Sequence, residues 1–170
     1  MQTRQPRAPA PRRPAIQTFL PYADFADSAA VLDTKRLGKQ RVENLQIFQV
    51  LVALRWNRSS ADAFIEVYEP KAWRNHPAVR GWRGHEAALV DYQRVICAEW
   101  ALRGFKDTCA ASTVSLLAAS GCSELVVRPA WTFDPAVHRS HQSNLIRKDP
   151  DFYTPLFPGV PADLDYVWPA

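Results

Sequence analysis

Long apolar runs are missing from this 170-residue chain. The longest mainly apolar stretch, Ile47 to Leu54, falls well short of the ~20 residues a helix needs to cross a bilayer, which excludes a spanning helix. Cysteine is also scarce. Cys97, Cys109 and Cys122 are odd in number and form no CxxC pair, so a disulfide scaffold is excluded and free thiols in a reducing cytoplasm are expected. Strand-like sequence is confined to Leu125 to Val127, too short to build a sheet. No HExxH pattern offers a metal site. What remains is 47% apolar and 22% charged, the composition of one globular domain with an ordinary core.

Arg4, Arg7, Arg12 and Arg13, with no acid among residues 1–15, account for the whole net charge of +4. The same residues alternate Pro with Arg and hold no apolar period, so they cannot bury enough surface to offset the entropy of ordering. A disordered tail is expected there. Pro6, Pro9, Pro11 and Pro14 interrupt any stretch that would serve as a secretory signal. The tail reads either as an upstream extension or as an arm that touches phosphates loosely. Beyond it the chain is neutral but banded. Residues 16–34 carry −3, residues 35–83 carry +6 from ten basic and four acidic residues, and residues 84–170 carry −3. A basic middle between acidic flanks suits one face that meets an anionic partner, or an ordinary solvated surface.

Residues 16–170 read as a single all-α domain. A short extended lead, IQTFLPY, ends at Pro21, and Asp24 caps an apolar-rich turn, FADSAAVLD. A long helix is expected from Lys35 to Trp56, with Leu37, Val42, Leu45, Phe48 and Val52 as its buried stripe. A shorter helix follows through Phe64 to Tyr68, and Pro77 opens a helical turn bearing Trp82. A second long helix spans about Glu86 to Leu102 with Gly104 as its stop, and a small-residue helix covers Thr108 to Ala119. Asp134 and Pro135 start a last helix to about Lys148.

Three segments could carry chemistry. In KRLGKQRVENLQ, residues 35–46, helical spacing aligns Lys35, Lys39 and Glu43 on one face, with Arg36 and Arg41 beside it. Such a stripe is either solvated or an amine next to a carboxylate, the pair needed when a nitrogen attacks a sugar carbon and an acid moves protons. A second cation at about 6 Å lowers a lysine by roughly 0.5 to 2 pH units, so a nucleophilic lysine also needs burial. In WRNHPAVRGWRGHE, residues 73–86, Arg74, Arg80 and Arg83 interleave with Trp73, Trp82, His76 and His85. That suits a nucleic-acid groove, or a tryptophan core with Asn75 and His76 in a polar turn. In HRSHQSNLIRKDP, residues 138–150, Leu145 and Ile146 are expected to anchor a helix that presents Arg139, Gln142 and Asn144. His138 and His141 with Asp151 would suit a metal-dependent hydrolase, although no third ligand stands at a recognisable spacing.

Taken in order, QTFLPY at 17–22, LDTKRLGKQRVENLQ at 32–46, WRNHP at 73–77, AEWALRGFKDT at 98–108 and HRSHQSNLIRKDPDFY at 138–153 resemble the pyrimidine dimer DNA glycosylase family. They are most similar to the bacterial branch of its phage endonuclease V-like members. The resemblance implies a compact helical domain that binds duplex DNA, bends it, flips a nucleotide out and cleaves an N-glycosidic bond. The family does so through a Schiff base on its N-terminal amine, helped by a glutamate on the first long helix, and then nicks the abasic strand by β-elimination. It implies no metal or other cofactor. Two features depart from the family. Sixteen residues precede Gln17, where the family has its amine, and the family's glutamate would fall near Gly38 or Lys39, one turn from Asp33 and Glu43. Helix geometry, rather than the family, therefore names Lys39 and Glu43 as the catalytic pair. Lys39, or an amine exposed by processing at Ile16 or Gln17, is the expected nucleophile. Lys35, Arg36, Arg41, Arg74, Asn75, His76, Arg83, His138, Arg139 and Gln142 are the expected DNA contacts. The chain is expected to act as a monomer on damaged duplex DNA in the bacterial cytoplasm; a non-catalytic DNA-binding module is the alternative.

Overall fold

The computed structural model describes residues 16–59 and 73–169. The tail expected over 1–15 and the helix expected through Phe64 to Tyr68 lie outside the described residues. Residues 16–20 run extended and are buried at every position, yet no strand pairs with them among the described residues. A buried backbone must find partners for its N–H and C=O groups, and here side chains provide them. Gln40 clamps the segment twice: its Nε2 donates to the Gln17 carbonyl at 2.9 Å, and its Oε1 accepts from the Phe19 N–H at 2.8 Å. The Tyr92 hydroxyl donates to the Phe19 carbonyl at 2.5 Å. His141 Nδ1 accepts from the Leu20 N–H, His138 Nδ1 donates to the Leu20 carbonyl, each at 2.9 Å, and Gln142 donates to the Pro21 carbonyl at 2.8 Å.

Seven helices surround this thread among the described residues: α1 (Phe25–Ala30), α2 (Thr34–Ser59), α3 (Pro77–Trp82), α4 (Glu86–Leu102), α5 (Cys109–Ser120), α6 (Pro135–Lys148) and α7 (Pro150–Tyr153), with a 3-10 turn at Ala130–Phe133. Local chemistry sets their ends. The Asp24 carboxylate accepts from the Ala26 and Asp27 N–H groups, which makes the expected turn a helix. Asp134 caps α6 in the same way, with Pro135 behind it. Gly121 ends α5 at φ +64°, the left-handed conformation that glycine adopts without strain. Helix α2 packs on α3, α4 and α5, α4 also packs on α1, and α6 packs on α7. At the centre the Trp82 ring stacks on Tyr92 and meets Phe25 and Trp131 edge-on, while its Nε1 donates to Thr18 at 3.2 Å.

Two expectations are corrected. Val42 does not belong to the buried stripe of α2: it is 43% exposed. Helix α6 presents Arg139 to water but not Asn144, and Ser140, His141, Ser143 and Asn144 are buried against the lead segment and the C-terminal strap, residues 154–169. Leu125 to Val127 form no strand and stay exposed.

Gly38 is the close-approach point between α2 and α4. A Cβ built there would lie 2.9 Å from Trp100 Cζ3, inside contact distance of a ring already covered by the Arg41 guanidinium at 4.5 Å and stacked on Phe105. Gly38→Ala should therefore lower stability by about 1 to 3 kcal/mol despite its better helix propensity, as read by urea unfolding.

Candidate active site

The stripe on α2 leads into a cluster. Glu43 is buried, with its side chain 6% exposed, and its Oε1 lies 3.3 Å from the Nζ of Lys39, whose side chain is 49% exposed. Burial pushes the Glu43 carboxyl above the ordinary carboxylate range, while Lys39, the backbone N–H of Gln17 and the Lys148 ammonium pull the other way. Its Oε2 is buried without a hydrogen-bond partner. A carboxyl that stays protonated to higher pH than usual and keeps one oxygen unused is suited to proton transfer. Around it the structure adds groups that sequence reasoning missed. Lys148, the last residue of α6, is an exposed side chain whose Nζ lies 5.9 Å from the Phe19 ring; partial desolvation and the Lys39, Arg36 and Arg147 cations lower its pKa against an upward pull from Glu43. Tyr166, on the C-terminal strap, has a buried hydroxyl with no partner and is raised by burial, with a further push from the Glu43 charge.

Other expected site residues serve the fold. Arg36 binds Asp33 at 2.6 Å and Asp149 at 3.4 Å, and donates to the Lys148 carbonyl, which ties α6 to the start of α2. Burial alone would raise Asp33, but the Tyr153 hydroxyl and Arg36 hold it below its ordinary value. Arg41 is paired with Asp107. Both guanidiniums, expected on phosphates, are thus engaged with carboxylates inside the protein. His138 and Gln142, expected on DNA as well, hold the Leu20 and Pro21 carbonyls. His76 caps α3 by accepting from the Ala78 N–H at 3.2 Å, and burial lowers its pKa. Lys35, Arg74, Asn75, Arg83 and Arg139 are exposed, and none of the four cations among them pairs with a described carboxylate. Arg83 donates to the Arg74 carbonyl, and Arg139 to that of Gly159.

The C-terminal strap connects the separate segments. Tyr166 meets His141 edge-on at 5.5 Å and Trp168 at 5.3 Å, Trp168 meets His76 at 5.6 Å, and His76 meets Trp73 at 5.3 Å. A row of rings therefore runs from the WRNHP turn to Tyr166 and His141. The metal-hydrolase constellation of His138, His141 and Asp151 does not assemble, because both histidine Nδ1 atoms face Leu20 and no three metal-binding side chains cluster among the described residues. All three cysteines are free and buried, and burial and Asp107 push the Cys97 thiol up, away from nucleophile chemistry. Among the described residues no helix is long and apolar enough to cross a membrane.

Residues 16–113 match the pyrimidine dimer DNA glycosylase family. That is more than half of the chain, and the chain belongs to this family. No curated protein and no solved structure gives a match. The matched region holds the lead segment, Lys39, Glu43 and the WRNHP turn, whereas Lys148 and Tyr166 lie beyond it.

Proposed function

We propose that this protein is a DNA glycosylase with associated AP-lyase activity, acting on damaged or modified bases in duplex DNA through a Schiff base. The observation that carries this reading is Glu43, a buried carboxyl with a free oxygen that faces an amine at 3.3 Å on the helix face lined by the lead segment. The family supports it from another side, since damaged DNA is the substrate that membership implies. A flipped nucleotide brings its C1′ to an amine of this cluster. The amine attacks, the N-glycosidic bond breaks toward the base, and Glu43 carries the protons that the base gains and the amine loses. The Gln17 backbone nitrogen lies against the same carboxyl, so a chain shortened to begin at that residue would present its α-amine there.

Lys35, Arg74, Asn75, Arg83 and Arg139 are the exposed groups available to phosphates. The test uses a duplex carrying one defined pyrimidine dimer. The protein should cut the damaged strand at the dimer, and Arg74→Ala or Arg83→Ala should each weaken binding and reduce the salt slope by about one. Salt-sensitive binding without scission would instead identify a non-catalytic module of the same fold.

A further inference from the structure

Resting on that reading, we infer that Leu125, Val126 and Val127 form an apolar wedge that enters the base stack of a bound duplex and fills the step from which a nucleotide is displaced. Single exposed apolar residues are ordinary on a protein surface, but three in a row call for a function. Leu125 is 72% exposed, Val126 46% and Val127 52%, and no helix or strand takes them up. The tip is nevertheless held at both ends. On one side Cys122 is buried and the Leu125 N–H donates to Ser123 Oγ at 3.2 Å. On the other Pro129 is buried, and Arg128 Nη2 donates to the Ala23 carbonyl at 2.5 Å while its guanidinium lies over the Phe25 and Phe133 rings at 3.9 and 4.4 Å.

The neighbours of the tip decide what it meets. His85 Nδ1 donates to the Val127 carbonyl at 2.7 Å, which seats the tip beside the turn of Arg83, Gly84 and His85. Arg83 is exposed and donates to the Arg74 carbonyl at 3.2 Å, so the WRNHP turn joins the same edge. Neither the Arg74 nor the Arg83 guanidinium pairs with a described carboxylate. Of the acids beside them, Glu86 is folded onto the Gly84 N–H at 3.0 Å, and Glu124 is exposed at the base of the tip. An apolar point next to free guanidiniums matches a duplex whose phosphates flank an opened base step. Displacing a nucleotide costs stacking, and aliphatic side chains fill the gap without leaving a polar group unpaired there.

The experiment uses a duplex that carries a pyrimidine dimer next to a fluorescent adenine analogue whose emission rises on unstacking, with a dye pair at the two ends to read bending. The full chain is compared with its Leu125→Ser, Val126→Ser double variant. Both side chains are exposed, so the variant should unfold at the same urea midpoint. The full chain should raise the unstacking signal and bend the duplex. The variant should lose most of both effects and cut at least ~10-fold more slowly, yet keep the salt slope of binding, because the guanidinium contacts to phosphate are untouched. Unstacking and bending by the variant equal to those of the full chain overturn this inference, and scission at the dimer then leaves the glycosylase reading standing. Unstacking that depends on the tip in a full chain that never cuts supports the wedge and removes the glycosylase reading. A full chain that binds no duplex overturns both.

Discussion

Glu43→Gln should lower base release from a damaged duplex by about 10² to 10⁴ at saturating DNA, with affinity for the duplex nearly unchanged. Glutamine fills the same space and still offers an oxygen toward Lys39, so packing is preserved while the titratable proton is lost. Because burial raises the Glu43 carboxyl, the protonated form persists to higher pH than an exposed glutamate would allow. The limb of the pH–rate profile that reports the acid should accordingly lie above 4.5, the ordinary value of a glutamate, and should vanish in the variant. Equal loss of binding and turnover would instead mean that Glu43 only shapes the surface.

Acid should destabilise the fold through His141. Its ring is fully buried, accepts the Leu20 N–H, and titrates at about 3 in the native state against 6.5 in the free side chain. The unfolded chain therefore binds a proton below pH 6.5 that the native protein refuses until about pH 3, so stability falls as pH falls through that window. Between pH 7 and 4.5 the loss is of order 2 to 3 kcal/mol. His76, lowered by burial, acts in the same direction. Glu43, raised by burial, acts in the opposite one just above 4.5. Urea unfolding at the two pH values measures the difference, and His141→Gln should remove most of it, because glutamine keeps an acceptor for Leu20 and takes no proton. An unchanged pH dependence in that variant would place the sensitivity elsewhere.

The helices were legible wherever local chemistry marks their ends. Asp134 with Pro135 starts α6, and α4 runs over Glu86–Leu102, the span that apolar spacing indicates. The Lys39–Glu43 pair was legible too, since residues four apart on a helix must meet. What periodicity cannot tell is which polar residues face water. His138, His141 and Gln142 read as site chemistry in sequence, but together with Gln40 and Tyr92 they face a buried extended segment whose peptide groups have no sheet to satisfy them. The ion pairs of Arg36 and Arg41 were not legible for a related reason: their partners Asp149 and Asp107 come from distant parts of the chain. The meeting of the end of α6 with the start of α2 was hidden in the same way, and only the Arg36 bond to the Lys148 carbonyl shows it.

The central claim is that an amine on this face attacks the sugar of a displaced nucleotide. Borohydride reduction of the full chain on an abasic duplex, read as the intact mass of the protein, tests it most directly. One covalent adduct per chain is predicted, dependent on the abasic site and absent from an intact duplex. A protein that binds the abasic duplex tightly yet gains no mass after reduction would contradict the account.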